Sequence, residues 1–445
     1  MTIAILIAYL LILLFIAFRS YSKVENINDF FIARKSGTYI AITGSLLATI
    51  LGGSAIIGAV DTGNNIGKAS AWFMLSAAIG LLALLPLTRK ISRIGRFTLP
   101  ELLEDTYGIE AKNIASIVIP IAWLGIIAAQ IIAAARILQS FTGLNYETGI
   151  IISGIVFTAY TLAGGQISVL KTDSVQAFFI VTGLSLLAFF TYKAQHNIAL
   201  QPIDLNFPFN KHFKPIDLLI LLITYATTFT VGPDIFTRIF CAKNHKVAQR
   251  SILTTAIVLI PIAFIIGYLS VAHTSIQDGA KIINISLAVL PAWISPIVVI
   301  ALLSAVLSSA DTTLLSASII VTGIVDKNKF NQKSLFKTRV IIAVIGLLSI
   351  VIAFHFTSII GMLLMALAVY SGAFTIPLIA GILGLKAKPK FVSWAIILGG
   401  LIALIGKIMA TFGNEKWGNT TIIAAFIISS LVLFSGQIKP NKLKS

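Results

Sequence analysis

Thirteen stretches of this chain are apolar over the length that a bilayer crossing demands, about 20 residues. They run approximately over 2–19, 38–61, 69–88, 113–140, 145–164, 173–194, 216–240, 248–272, 292–322, 338–355, 358–385, 391–412 and 420–438. The pattern predicts an all-α integral membrane protein of about 13 transmembrane helices. The first stretch has neither a basic start nor a small-residue cleavage site, and Arg19 follows it, so it reads as a helix and not as a signal peptide.

Two of the thirteen are interrupted. The second, "AITGSLLATILGGSAIIGAV", carries Gly52–Gly53 at its centre, and the seventh, "LLITYATTFTVGPDIFTRIF", carries Gly232–Pro233 beyond a run of Thr. Backbone freed inside lipid must be satisfied by protein or by a water-filled cavity. Breaks at corresponding places, five helices apart, predict the binding site of a transporter; close helix packing at small residues is the competing reading. A third departure is the polar "SSADTT" at 308–313, set between "PIVVIALLSAVL" and "LLSASIIV". Hydroxyls in a membrane helix often bond back to a carbonyl of their own helix. A hard cation such as sodium, however, takes several oxygen ligands. Ser308 and Ser309, with the loosened backbone near Ala48 to Gly52, would supply them without a carboxylate.

Composition agrees with burial in lipid: 57% of residues are hydrophobic and 11% charged, against roughly 25% charged in a soluble domain. The net charge of +17 does not point to nucleic acid. There is no basic tail and no basic patch interleaved with aromatics. The cations lie in short segments between the spans, where the cytoplasmic lipid surface is their anionic partner. With the N-terminus outside, every Lys and Arg falls on the inner side except Lys68, Arg136, Lys193, Lys211, Lys214, Lys281, Lys407 and Lys416. That excess is expected of cytoplasmic loops and puts the C-terminus inside. The single Cys241 excludes an intramolecular disulfide and reads as packing. Five scattered His residues and the lack of a nucleophile constellation in the spans argue against an enzyme. The loop 192–215 is the longest outer connection and does not form a domain of its own.

Five stretches, "NDFFIARKSGTYIAITGSLLATILGGSAIIG" (28–58), "FTLPELLEDTYG" (97–108), "TLAGGQISVLKTDSVQAFFIVTG" (161–183), "GPDIFTRIFCAKN" (232–244) and "LLSAVLSSADTTLLSASIIVTGIVD" (302–326), occur in the order found in the sodium:solute symporter family. The chain resembles that family, which contains bacterial proline, pantothenate, sialic acid and sugar symporters. The resemblance implies a LeuT-like fold of 5+5 inverted repeats with two broken helices. Residues 1–445 then form one transporter domain. It comprises a peripheral first helix and inner loop (1–37), a first repeat (38–194), a second (216–385) and two peripheral helices (391–438).

The resemblance also implies a sodium site made of the carbonyls of Ala48, Leu51 and Ala305 and the hydroxyls of Ser308 and Ser309. Asp311 belongs to the same motif without being a ligand, in a structural or gating role. Asp173, in "KTDSVQ", matches a family Asp near the cytoplasmic end of the ion path; helix capping is its alternative. The solute pocket carried over by position is lined by Ser54, Gly58, Tyr225, Phe229 and Pro233. Asp234 and Arg238, one turn apart, are expected to pair at the helix end. Ile50 stands where the proline branch carries Asp, and Ala55 follows Ser54 where sugar carriers place polar groups. The expected solute is therefore a small carboxylate, amino-acid derivative or similar metabolite. The implied function is sodium-coupled secondary active import by alternating access, with sodium co-transported. The implied setting is a multi-pass protein of a bacterial inner membrane, with no obligate protein partner. The alternatives are a proton-coupled transporter of the same fold, with Asp311 as the titratable group, or a membrane solute sensor. A sensor would append a signalling domain, whereas the chain stops at Ser445.

Overall fold

The computed structural model describes residues 2–21, 24, 26–94, 98–194, 206–272, 281–326, 330, 332–356 and 358–438. The loop cations Lys23, Arg96, Lys327, Lys329, Lys439, Lys442 and Lys444 lie outside the described residues, as does 195–205 of the loop predicted to face outward. Regular structure among the described residues is helical, with no strand beyond isolated bridges. The chain begins with α1 (Thr2–Tyr21), α2 (Ile27–Ile32), α3 (Tyr39–Ile50), α4 (Gly53–Ile66), α5 (Trp72–Leu84), α6 (Thr88–Ile94) and α7 (Leu99–Tyr107). Two long helices follow, α8 (Ile109–Thr142) and α9 (Tyr146–Ala194). Next come α10 (Pro215–Leu221), α11 (Thr227–Val231), α12 (Pro233–Cys241), α13 (His245–Val271), α14 (Lys281–Val289) and α15 (Ser295–Val325). The last four are α16 (Gln332–His355), α17 (Ile359–Leu383), α18 (Pro389–Thr411) and α19 (Glu415–Ser435).

Ten helical stretches among the described residues are long and apolar enough to cross a membrane, against thirteen predicted. Two of the ten each take up two predicted spans, Gly53–Arg93 the second and third and Tyr146–Ala194 the fifth and sixth. The first predicted span, α1, is a 20-residue apolar helix whose side chains are only partly described, and it is not among the ten. α3 is 12 residues and too short alone, because its crossing is divided at the break. Gly53–Arg93 runs on as one helical stretch. The predicted fifth and sixth helices have no loop between them; they meet at Gly165, whose φ of 55° turns the chain while helix continues on both sides. Only glycine adopts that φ freely, and a Cβ there would press on the Phe30 ring at 2.5 Å.

α15 forms the axis of the molecule. Every side chain from Val298 to Ile320 is buried, so this helix faces protein on all sides and never lipid. Its polar side chains serve two ends. Thr313 and Ser318 donate to carbonyls of α15 itself, those of Ser309 and Leu314, at 2.7 Å, while Thr322 donates to its own helix at Ser318 and also meets Thr338 of α16 at 2.9 Å. Ser304, Ser308 and Ser309 reach other helices: Ser304 meets the Tyr9 hydroxyl of α1 at 2.6 Å, and the two serines face α3.

Away from this axis, α14 is fastened to α4. The Lys281 amide donates to the Asp61 carboxylate at 2.8 Å, and its buried ammonium donates to Asn64 at 2.8 Å and to the carbonyl of Ser270.

Candidate sodium and solute site

At the first break, α3 ends at Leu51 (φ −79°, ψ 43°), and Gly52 is extended (φ −62°, ψ 151°) before α4 begins. A helix terminus leaves its last carbonyls without intrahelical partners. Here α15 supplies them. Ser308 Oγ donates to the Ala48 carbonyl at 2.7 Å and lies 3.3 Å from the Ala305 carbonyl, while Ser309 Oγ donates to the Thr49 carbonyl at 2.8 Å. Of the five oxygens expected to hold sodium, those of Ala48, Ala305 and Ser308 are thus in direct contact. Ser309 is turned to Thr49, and the Leu51 amide still bonds the Leu47 carbonyl at 2.9 Å. The glycine pair serves this approach through lack of bulk rather than through an unusual φ. A Cβ on Gly52 would fall 2.3 Å from Ser309 Oγ, and one on Gly53 2.0 Å from a methyl of Val306.

The second break has the same shape and different fittings. Gly232 is extended (φ −68°, ψ 137°), and Pro233 opens α12, where its missing N–H is no loss. The freed Val231 carbonyl accepts the Tyr370 hydroxyl at 2.6 Å. Just before the break the helix passes through a π-turn, Leu222–Ala226, which carries Tyr225.

Between the breaks lies a cavity of about 60 Å³. Ser54, Tyr225 and Phe229 of the expected pocket line it. Gly58 does not; it packs on Ile360, and a Cβ there would meet that side chain at 2.8 Å. Pro233 faces a separate, smaller space with Thr98, Thr237 and Ser316. The cavity is also lined by Trp123 and Gln130 of α8 and by Asp234, none of which sequence reasoning placed there. Gln130 caps α4 across the gap, accepting from the Ser54 amide at 3.1 Å and donating to Ser54 Oγ at 2.8 Å. Gln130 is the lone Gln in a long apolar run, and an isolated polar residue at membrane depth is the signal that could have found it. Tyr225 packs on Phe229 with centroids 5.1 Å apart, and Trp123 packs edge-on to Tyr370 at 4.7 Å.

Arg238 does not pair with Asp234 as expected. Its guanidinium turns from α12 toward α9 and forms a fully buried ion pair with Asp173 at 3.1 Å. It also donates to Ser45 and Thr49 of α3 at 2.9 and 3.2 Å and to Thr312 of α15 at 2.5 Å. Ser45 donates to the same Asp173 oxygen. One side chain therefore ties together four helices, α3, α9, α12 and α15, around the buried Asp173 carboxylate. Asp234 instead accepts the Trp123 indole N–H on both carboxylate oxygens, at 3.0 and 3.1 Å. Asp311 is wholly buried, with Thr312 3.4 Å from one oxygen. One oxygen each of Asp173 and Asp311 has no hydrogen-bond partner.

The family profile and the curated relatives point to one family, and the solved structures to one fold. The sodium:solute symporter family profile matches residues 30–399. The sodium/pantothenate symporter of Escherichia coli (strain K12) is 25% identical over 97% of this chain and 95% of its own length. The sodium/proline symporter of the same organism is 23% identical over 96% and 91%. Among solved structures, a Na⁺-coupled sialic acid symporter in a substrate-bound outward-open state superposes with a TM-score of 0.77 at 16% identity, covering 99% of both chains. A nucleobase-cation-symport-1 family transporter in a closed conformation superposes with a TM-score of 0.61 at 15% identity, over 91% and 94%. These likenesses carry the LeuT-like fold, and the family match reaches across both breaks and the serine pair: the chain belongs to the sodium:solute symporter family.

Proposed function

We infer that the protein is a sodium-coupled symporter that imports a small organic solute across a bacterial inner membrane by alternating access. The observation that carries this is the placement of Ser308 Oγ between the carbonyls of Ala48 and Ala305, at the end of a helix broken in mid-membrane. Ala48 and Ser308 oxygens 2.7 Å apart share a hydrogen. A sodium ion entering between them turns that O–H aside, spreads the oxygens and recruits the Leu51 carbonyl and Ser309 as further ligands. The ion then joins α3 to α15, which assembles the cavity wall for the solute at Ser54, Tyr225 and Phe229. Coupling follows from the different affinities of ion and solute for the outward and inward states. The ion carries one positive charge, so membrane voltage acts on the cycle at about 2.3 kcal/mol per 100 mV.

In this scheme Arg238, with Asp173, holds the end of the path opposite the outer loops, and Asp311 lies beside it. The orphaned oxygens of Asp173 and Asp311 favour a second reading, in which a proton is the coupling ion. Uptake into proteoliposomes under separately imposed sodium and proton gradients tests the two. Accumulation driven by sodium alone supports the first, and accumulation that needs only a proton gradient overturns it.

A further inference from the structure

We propose that the transported solute carries an ammonium group, which docks on the Asp234 carboxylate inside the cavity between the breaks. This deepens the symport reading and rests on it. Asp234 is the only acidic or basic side chain, Asp, Glu, Lys, Arg or His, among those lining the cavity. Its two oxygens are bridged by a neutral donor, the Trp123 indole N–H. The nearby guanidinium of Arg238 is bound to a different carboxylate, Asp173. The cavity wall therefore presents a buried carboxylate with no ion partner in direct contact. Burying a charge in that way is costly unless an opposite charge joins it.

The surrounding groups suit the same ligand. Trp123, Tyr225 and Phe229 line the cavity with Asp234. Aromatic faces attract alkylammonium ions through the ring quadrupole, most strongly where water is excluded. No Lys, Arg or His faces the cavity, so an anionic solute would meet Asp234 without compensation. A space of about 60 Å³ holds roughly four to six water-sized groups, enough for a small ammonium head and little more. The sodium site beside it is built from neutral hydroxyls and carbonyls, so ion and ammonium draw on different groups.

The test is the thermal stability of the purified full chain, with and without sodium, in the presence of choline, glycine betaine or pantothenate. The expected result is a sodium-dependent rise in Tm with choline and none with pantothenate. A rise with glycine betaine as well extends the class from cations to zwitterions. Asp234→Asn is expected to raise the half-effective concentration of the ammonium compounds at least tenfold, while the shift produced by sodium alone persists and reports a folded protein. If Asp234→Asn does not fold, Asp234→Glu keeps the charge and is expected to keep the preference for choline over pantothenate. Stabilisation by pantothenate equal to that by choline, no response to either ammonium compound, or an Asp234→Asn protein that responds like the native chain overturns the proposal. Failure of the symport reading looks different: sodium alone then produces no shift, whatever the organic compounds do.

Discussion

The two helix breaks face one electrostatic demand and answer it differently. In both, an extended glycine frees carbonyls at membrane depth, and a hydroxyl from a distant helix caps them. At the first break the caps are Ser308 and Ser309, two small hydroxyls on one helix, close to a further carbonyl at Ala305. Such a cluster can turn its hydroxyl hydrogens away and close its oxygens around a cation. At the second break the cap is the Tyr370 phenol, wedged between Trp123 and Phe374 at centroid distances of 4.7 and 5.0 Å. A phenol fixed on both sides cannot turn to ligate an ion. In the proposed scheme the first break serves as an ion site and the second as a fixed joint.

Four measurements bear on that contrast, beginning with the largest effect. Arg238 leaves the second broken helix to bond Ser45 and Thr49 beside the first, so it connects the two. Arg238→Met strands the buried Asp173 charge and is expected to cost about 3–5 kcal/mol, read as a drop in the unfolding midpoint. A shift of a degree or less would mean the breaks are not joined through it. The double substitution Ser308→Ala, Ser309→Ala removes two oxygen contacts to an ion, each worth about 1.5–3 kcal/mol. The sodium concentration for half-maximal uptake should rise by at least about 100-fold, with membrane insertion intact. Unchanged sodium dependence would place the ion elsewhere. Tyr370→Phe leaves the Val231 carbonyl uncapped and should lower stability by about 1–3 kcal/mol, while the sodium dependence stays within about twofold. A large change in sodium affinity would erase the distinction between the breaks. Smallest of all is Ser318→Ala, which removes a bond that never leaves α15. It should cost less than about 1 kcal/mol and leave sodium activation as it was, which separates the position of a hydroxyl on this helix from its mere presence.

Both breaks were legible in the sequence because Gly-Gly and Gly-Pro have few other uses at the centre of an apolar run. The serine pair was legible as a polar island, and the structure divides that island as only coordinates can. Thr313, like Ser318 further along α15, serves its own helix, whereas Ser308 and Ser309 serve another one 260 residues away in the chain. The partner of Arg238 was not legible. Asp234, one turn away, was the local choice, and Asp173 wins because the guanidinium points into the space where α3, α9 and α15 converge. The Gly165 turn was missed for a related reason. A short polar stretch around Lys171 reads as a loop, yet the chain changes direction at a single residue and stays helical. Trp123 lies in an uninterrupted apolar helix, and nothing local marks it as a cavity wall.

The hitch between Lys281 and the Asp61–Asn64 segment has a practical consequence. α14 is bolted to the half-helix that starts at the first break, so any displacement of α4 is relayed to a short helix far from it in sequence. Leu287, on that helix, is about half exposed. A fluorophore or spin label placed there would sit outside the cavity and report any movement of α4 in the proposed cycle as a change in its own surroundings.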